Sequence, residues 1–309
     1  MTRRGLILFA SMAIIWGIPY LFIRIAVTEI TPATLVFLRT TVATAILLPL
    51  ALWRVDLRAV LVHWRWIAVF AAIEIAIPWV LLGSAEQHLS SSLTGLLIAA
   101  TPLIGTVFAV ATGGTDRLGR SGVVGLLVGL VGVTAIVGAD YGTRDPIAVL
   151  QVFVTAVCYA IGPAILARRL GGVSSVGIMA LSLAGVAVLY APLAALQWPA
   201  VTPSTNAILS VLVLGTVCTA AAFILFAALI GEIGPVRSTV ITYINPAVAA
   251  IVGVAVLSET FTPVMGLGLA LVVVGSALAT RRPAQPAAEA GADTIGLAVP
   301  PLAEPSEAR

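Results

Sequence analysis

Residues 5–27 read GLILFASMAIIWGIPYLFIRIAV, and Arg24 is the only charge in the stretch. About 20 apolar residues cross the hydrocarbon core of a bilayer, so this run is long enough to span. It follows Met1-Thr2-Arg3-Arg4 and so imitates a secretory signal. A cleavable signal, however, has an apolar core of only 7–15 residues, and this run is predicted to stay as a first membrane helix. Nine more stretches obey the same rule: residues 32–53, 66–87, 91–112, 121–139, 146–167, 176–198, 207–230, 238–257 and 263–280. Turn signals separate them, among them Thr31-Pro32, Gly113-Gly114, Asp145-Pro146, Gly171-Gly172, Gly234-Pro235 and Thr262-Pro263. Continuous apolar runs of this length exclude the alternating strands of an outer-membrane barrel. The expected fold is an all-α integral membrane protein with ten transmembrane helices.

Composition points the same way. Of 309 residues, 60% are apolar and 9% charged, with a mean hydropathy of +1.13. A soluble domain carries about a quarter of its residues as charges, so most of this surface must face lipid. The net charge is +3, but the basic residues are scattered singly and in pairs, which excludes a nucleic-acid-binding stripe. All 16 basic residues are arginine. Without lysine there is no P-loop and no retinal or pyridoxal Schiff base, so neither ATP-driven transport by this chain alone nor those cofactors is expected. Cys158 and Cys218, with His63 and His88, have no spacing that would hold a metal. No cofactor, metal or catalytic residue is expected.

Arginine placement sets the orientation, because cytoplasmic loops carry the excess of positive charge. With a cytoplasmic N-terminus, Arg3, Arg4, Arg54, Arg58, Arg65, Arg117, Arg120, Arg168, Arg169, Arg237, Arg281 and Arg282 lie inside, and only Arg144 lies outside. Trp53, Trp64 and Trp66 then fall at the inner interface and Trp198 at the outer one. A shift of 143 residues lays the second half on the first, bringing Trp16 onto Tyr159, Pro49 onto Pro192, Gly125 onto Gly268 and Gly132 onto Gly275; Pro102 meets Pro246 at 144. Five helices per half force opposite orientations. The expectation is an inverted repeat over residues 5–139 and 146–282, around a central cavity at the midplane, with both termini cytoplasmic. Residues 283–309, rich in Ala and Pro, are expected to form a disordered cytoplasmic tail.

Ordered landmarks along the chain resemble the EamA-domain proteins of the drug/metabolite transporter superfamily. They are Trp16-Gly17 followed by Arg24, Pro32 followed by Leu38-Arg39, Thr101-Pro102, Asn245-Pro246, Ser258-Glu259 and the glycine-rich fifth and tenth helices. The resemblance covers residues 5–282. It implies a ten-helix bundle that works by alternating access as a secondary active transporter, often exporting amino acids or related metabolites, in the inner or plasma membrane. Two departures stand out. Residues 5–27 contain no acid, unlike the small multidrug members, and Ser182 stands where the repeat would place a partner for Arg39. Two other classes are weighed: a polytopic enzyme acting on a lipid-linked substrate, and a channel or scaffold. The first lacks a convergent nucleophile, base or metal cluster. The second would want a ring of polar residues through a continuous pore.

Candidate site residues follow from the cost of burying charge, about 2.5–3.5 kcal/mol at mid-helix on insertion scales. Arg39 lies about 10 Å deep at 1.5 Å per residue, and is either a packing anchor or the ligand of an anionic group. Glu74, expected near the midplane, is a candidate for proton coupling or for binding a substrate ammonium. Trp16, Tyr20, Trp79, Tyr159 and Tyr243 are candidates to line the cavity with Asn245, apolar in body and polar at one tip. Arg24 is expected to snorkel to the headgroups, and Glu86, His88 and Glu259 to be terminal and solvated. Pro78, Pro102, Pro163 and Pro246 each free a backbone carbonyl inside a helix. Gly122, Gly125, Gly129 and Gly132 form a helix-packing face. The partners implied are a small-molecule substrate, the bilayer and protons as coupling ion.

Overall fold

The computed structural model describes residues 2–111, 120–139 and 145–280. Arg117, Arg144, Arg281, Arg282 and the expected tail at 283–309 lie outside the described residues. Among the described residues the chain is helical. Its principal helices are α1 (Arg3–Ala26), α2 (Pro32–Arg54), α3 (Trp64–Ala85), α4 (Ser91–Ala111), α5 (Arg120–Ala139), α6 (Pro146–Arg169), α7 (Ser175–Leu196), α8 (Thr205–Ile233), α9 (Asn245–Leu257) and α10 (Pro263–Ala279). The first eight are long and apolar enough to cross a membrane, while α9 and α10 are shorter apolar helices. The length of the apolar run predicts a ninth helix over 238–257. Instead Pro246 cannot donate to the helix ladder and disfavours helical geometry at the residue before it, so a 3₁₀ turn at Thr239–Tyr243 precedes α9.

One end of the bundle is cut by capping residues. The α2, α4, α6, α8 and α10 helices start here, and Thr31, Ser90, Asp145, Ser204 and Thr262 accept hydrogen bonds from their first-turn amides. Such caps satisfy amides that a helix leaves orphaned. Three of these helices, α2, α6 and α10, begin on proline, whose missing N–H costs nothing there. The outer surface is apolar: Leu127, Leu130, Val131, Leu150, Phe153, Leu189 and Leu267 are exposed. An aqueous protein exposing that much would aggregate, whereas lipid solvates it. Trp53, Trp64, Trp66 and Trp198 are exposed too. At the end opposite the caps, Arg54 lies over Trp53, Arg65 over Trp64 and Arg169 over Trp66, at 5.4, 5.6 and 4.5 Å from the ring centroids.

Helices pair as α1 with α8, α2 with α7, α3 with α6, α4 with α9 and α5 with α10. Exchanging α1–α5 for α6–α10 returns the same five pairs. Backbone irregularities fall in equivalent places as well. A π-helical segment at Ala72–Ala76 in α3 answers one at Thr216–Ala221 in α8, and a break before Thr101-Pro102 in α4 answers the one at Asn245-Pro246. In α1 the helix breaks at Trp16-Gly17-Ile18 ahead of Pro19, whereas α6 runs through Pro163 unbroken. Irregular backbone at mid-span survives only where protein or a cavity covers it.

The α5–α10 pair is held by backbone against backbone. A Cβ on Gly132 would stand 2.7 Å from the Gly268 carbonyl oxygen, and one on Gly275 would stand 2.5 Å from the Gly129 amide nitrogen. Close approach of this kind replaces the hydrophobic driving force that lipid removes. Gly132→Ala and Gly275→Ala should therefore each destabilise by about 1–3 kcal/mol, the usual effect of overpacking. Thermal unfolding in detergent measures this. Gly138→Ala, where a Cβ meets open space, should unfold like the wild type.

Candidate functional site

Arg39 sits on α2 among apolar neighbours and is 7% exposed. Among the described residues no carboxylate forms a salt bridge with it. Two other contacts hold it. Its guanidinium carbon lies 3.7 Å from the centroid of the Trp79 ring on α3, a cation–π contact strengthened by the absence of water. Its Nε donates to the Thr219 hydroxyl of α8 at 2.9 Å. Thr219 lies in the π-helical segment of α8, and its hydroxyl donates in turn to the Leu214 carbonyl at 2.7 Å. The hydroxyl thus works as acceptor and donor at once, which fixes the fork of the guanidinium.

Tyr20 of α1 is buried with Leu82 and Ala249, and Tyr159 of α6 packs against both this group and the Trp79 cluster. Both phenols and Cys218 are within electrostatic range of Arg39. Four predicted site residues, Tyr20, Arg39, Trp79 and Tyr159, therefore meet in one place. Glu74 adjoins them, within electrostatic range of Tyr159 and Cys158. It lies in the π-helical segment of α3, where its carboxylate abuts Gly162 of α6 in space that a Cβ would occupy. Its Oε2 is buried and has no hydrogen-bond partner. Nearby, Tyr190 donates to the Ala76 carbonyl at 2.9 Å, satisfying a carbonyl of the same irregular segment.

Three other predicted residues sit elsewhere. Trp16 packs on Phe226 and Phe223 of α8, at 4.6 and 6.4 Å between centroids, and serves the α1–α8 contact. Tyr243 lies beside the Thr280 hydroxyl at 3.4 Å. Asn245, with its amide nitrogen turned toward them, donates to the Ala13 and Ile241 carbonyls at 3.1 and 2.9 Å. At the α4 break the Thr101 hydroxyl donates to the Ile98 carbonyl that Pro102 frees.

The capped end departs from expectation more sharply. Glu86, expected in solvent, is 0% exposed, and neither of its carboxylate oxygens has a partner. Arg24 does not reach for headgroups: its guanidinium donates to the Glu86 backbone carbonyl, one of the carbonyls a helix end leaves free. Glu259 is no idle terminal acid. It accepts from the Ser91 and Ser92 amides, both at 2.8 Å, and from both their hydroxyls, so it caps α4 from across the molecule, where an anion suits the helix dipole. His88 is exposed, as expected, and pairs with Asp145 at 3.6 Å. Glu29 accepts from the Ser204 amide and hydroxyl, each at 2.6 Å. A cavity of about 540 Å³ opens at this end, between Arg24, Glu29, His88, Asn206 and Glu259.

A helical bundle with an apolar outer surface and polar groups buried at mid-span is a multi-pass membrane protein. The model of the EamA-like transporter family matches the chain twice, over residues 3–138 and 146–281. The chain belongs to the EamA-like transporter family, as the motif resemblance implied, and so to a family of transporters rather than enzymes. It is 26% identical to the uncharacterized inner membrane transporter YedA of Escherichia coli (strain K12), over 87% of this chain and 88% of that one. It is also 26% identical to the uncharacterized transporter YvbV of Bacillus subtilis (strain 168), over 94% and 96% of the two chains. A solved crystal structure shares the fold with a TM-score of 0.63 at 23% identity, covering 91% of this chain and 97% of that one.

Thr219 escaped sequence reasoning, since a threonine in an apolar helix carries no signal of its own. Its role makes a direct prediction. Thr219→Val keeps the shape but strands the Arg39 Nε–H, and a buried donor left unmade costs about 1–3 kcal/mol. Thermal unfolding should show Thr219→Val well below wild type and Thr219→Ser close to it.

Proposed function

We propose that this protein is a secondary active transporter of small metabolites bearing an anionic group, such as amino acids or related compounds, and that it works by alternating access in the inner or plasma membrane. One observation carries the proposal: a buried arginine in contact with an aromatic face and a hydroxyl but, among the described residues, in no salt bridge with a carboxylate. Such a cation invites an anion. Arg39 binds the anionic group of the substrate, with Trp79, Tyr20 and Tyr159 around its body. Glu74, with an unpartnered oxygen beside the same cluster, takes up and releases the coupling proton.

The ten helices form two five-helix repeats of opposite orientation, over residues 5–139 and 146–282, with both termini and the 283–309 segment in the cytoplasm. The exchange-invariant pairing of helices, the equivalent π-helical segments and the equivalent breaks at Thr101-Pro102 and Asn245-Pro246 support the repeat. Arginine counts support the orientation, and an exporter is the direction that the family resemblance favours. The mid-span packing of Arg39 on Trp79 fits a carrier better than a channel, because a channel needs a continuous wet path.

Flux into sealed vesicles tests the proposal. Uptake of a panel of radiolabelled amino acids should include saturable transport that a pH gradient drives. Arg39→Lys should fold yet raise KM, because a point charge replaces a bidentate fork. Glu74→Gln should keep exchange while losing proton-driven accumulation. Unchanged KM in the first variant, or accumulation against a gradient in the second, would remove the role assigned to that residue.

A further inference from the structure

Glu86 stands one residue beyond α3, at the capped end of the bundle. Three groups of side-chain ties close this end across the two halves. Glu29 holds Ser204, Glu259 holds Ser91 and Ser92, and His88 stands 3.6 Å from Asp145. Glu86 lies beneath them, does not line the cavity there, and has no water contact.

The charged and titratable groups that face it come from three directions. Arg24 and Tyr20 face it from α1, Arg39 from α2 and Glu259 from the α9–α10 junction. No side chain among them bonds its carboxyl. Arg24 is spent on the backbone carbonyl of Glu86, and both oxygens of Glu259 are taken by the serines. A carboxyl with neither water nor partner cannot hold charge cheaply.

We propose that Glu86 is a proton-binding site tied to this end of the molecule: it carries a proton while the end is closed and releases it to water when the halves part. This rests on alternating access as proposed above. Opening must break the Glu259–serine ties beside Glu86 and admit water from the cavity, and Arg24 is then free to turn from the carbonyl to the carboxylate. The O–H bond of the acid breaks, the proton goes to water of the adjoining compartment, and the carboxylate gains hydration and a cation. Because the two conformations bind different numbers of protons, rising pH favours the open one, by up to about tenfold per pH unit for a single group.

The other ties at this end have no such orphaned group. Hydrogen bonds from the Ser204 hydroxyl and amide hold the exposed Glu29 carboxyl below its usual range. That tie is therefore fully present above the ordinary carboxylate range and is lost only as pH falls through the lowered value. It stays ionised in the test below.

Spin labels at Thr28→Cys and Val201→Cys, both on exposed loops of this end, report the opening by electron–electron double resonance in nanodiscs. Cys158 and Cys218 are replaced beforehand. Between pH 5.5 and 8.5 the longer-distance population should grow with pH. Glu86→Gln and Glu86→Met, which fill the space without a titrating proton, should hold the short distance throughout. Glu86→Asp should restore the pH response with a displaced midpoint, and His88→Gln should leave it in place. If the glutamine and methionine variants respond to pH as the wild type does, Glu86 is not the site. If the wild type shows a single distance at every pH and with every amino acid of the uptake panel, alternating access itself fails, and this proposal fails with it.

Discussion

A guanidinium stacked on an indole, in a chain with 9% charged residues, is the constraint from which the centre of this molecule follows. Arg39 is buried, and among the described residues no acid forms a salt bridge with it. It is held by the Trp79 face and by Thr219, and each contact comes from a helix whose backbone leaves α geometry nearby. The π-helical segments of α3 and α8 turn one extra residue toward the centre in each half. They place Glu74 on one side and Thr219 on the other. The centre is thus built by two equivalent distortions that present unlike residues.

Away from the centre the packing is of another kind. The α5–α10 pair meets glycine to glycine, with no polar side chain needed. At the capped end the contacts between halves are the reverse: short polar side chains on helix starts, held by carboxylates from the opposite half. The Glu29–Ser204 contact is exposed, so it breaks and re-forms against water at little net cost, one partner exchanged for another. A tightly packed apolar pair and a polar closure are the two mechanical parts that the proposed alternating access requires.

Much of this was legible in the sequence. Lipid imposes a length on every span, so eight helices fall where apolar runs of about 20 residues predicted them. The glycine spacing of α5 gave its packing face. Arg39, Tyr20, Trp79, Tyr159 and Glu74 stood out because charge and aromatic polarity are rare in such runs. What stayed hidden depended on contacts between distant segments. Glu86 looked solvated because Gln87 and His88 follow it and the helix ends there, yet α1 and the α9–α10 junction cover it. Glu259 looked like an ordinary terminal acid, and its work as the cap of α4 is invisible without knowing that residues 91 and 259 meet. Arg24 is hidden for the same reason, since the carbonyl it binds is that of Glu86, the residue after α3. Neither π-helical segment has a composition that distinguishes it from α-helix.

The contact between Arg39 and Trp79 also offers the most direct measurement. A variant retaining Trp79 as its sole tryptophan, with the other five replaced by phenylalanine, reports the environment of that ring by its emission. Titrated in nanodiscs with amino acids and with their carboxamides, it should shift and saturate for members of the acid series, because a bound carboxylate draws the guanidinium from the ring. The neutral amides should leave it unchanged. Emission that ignores every acid, or that responds equally to acids and amides, would contradict an anion-binding role for Arg39 and with it the centre described here.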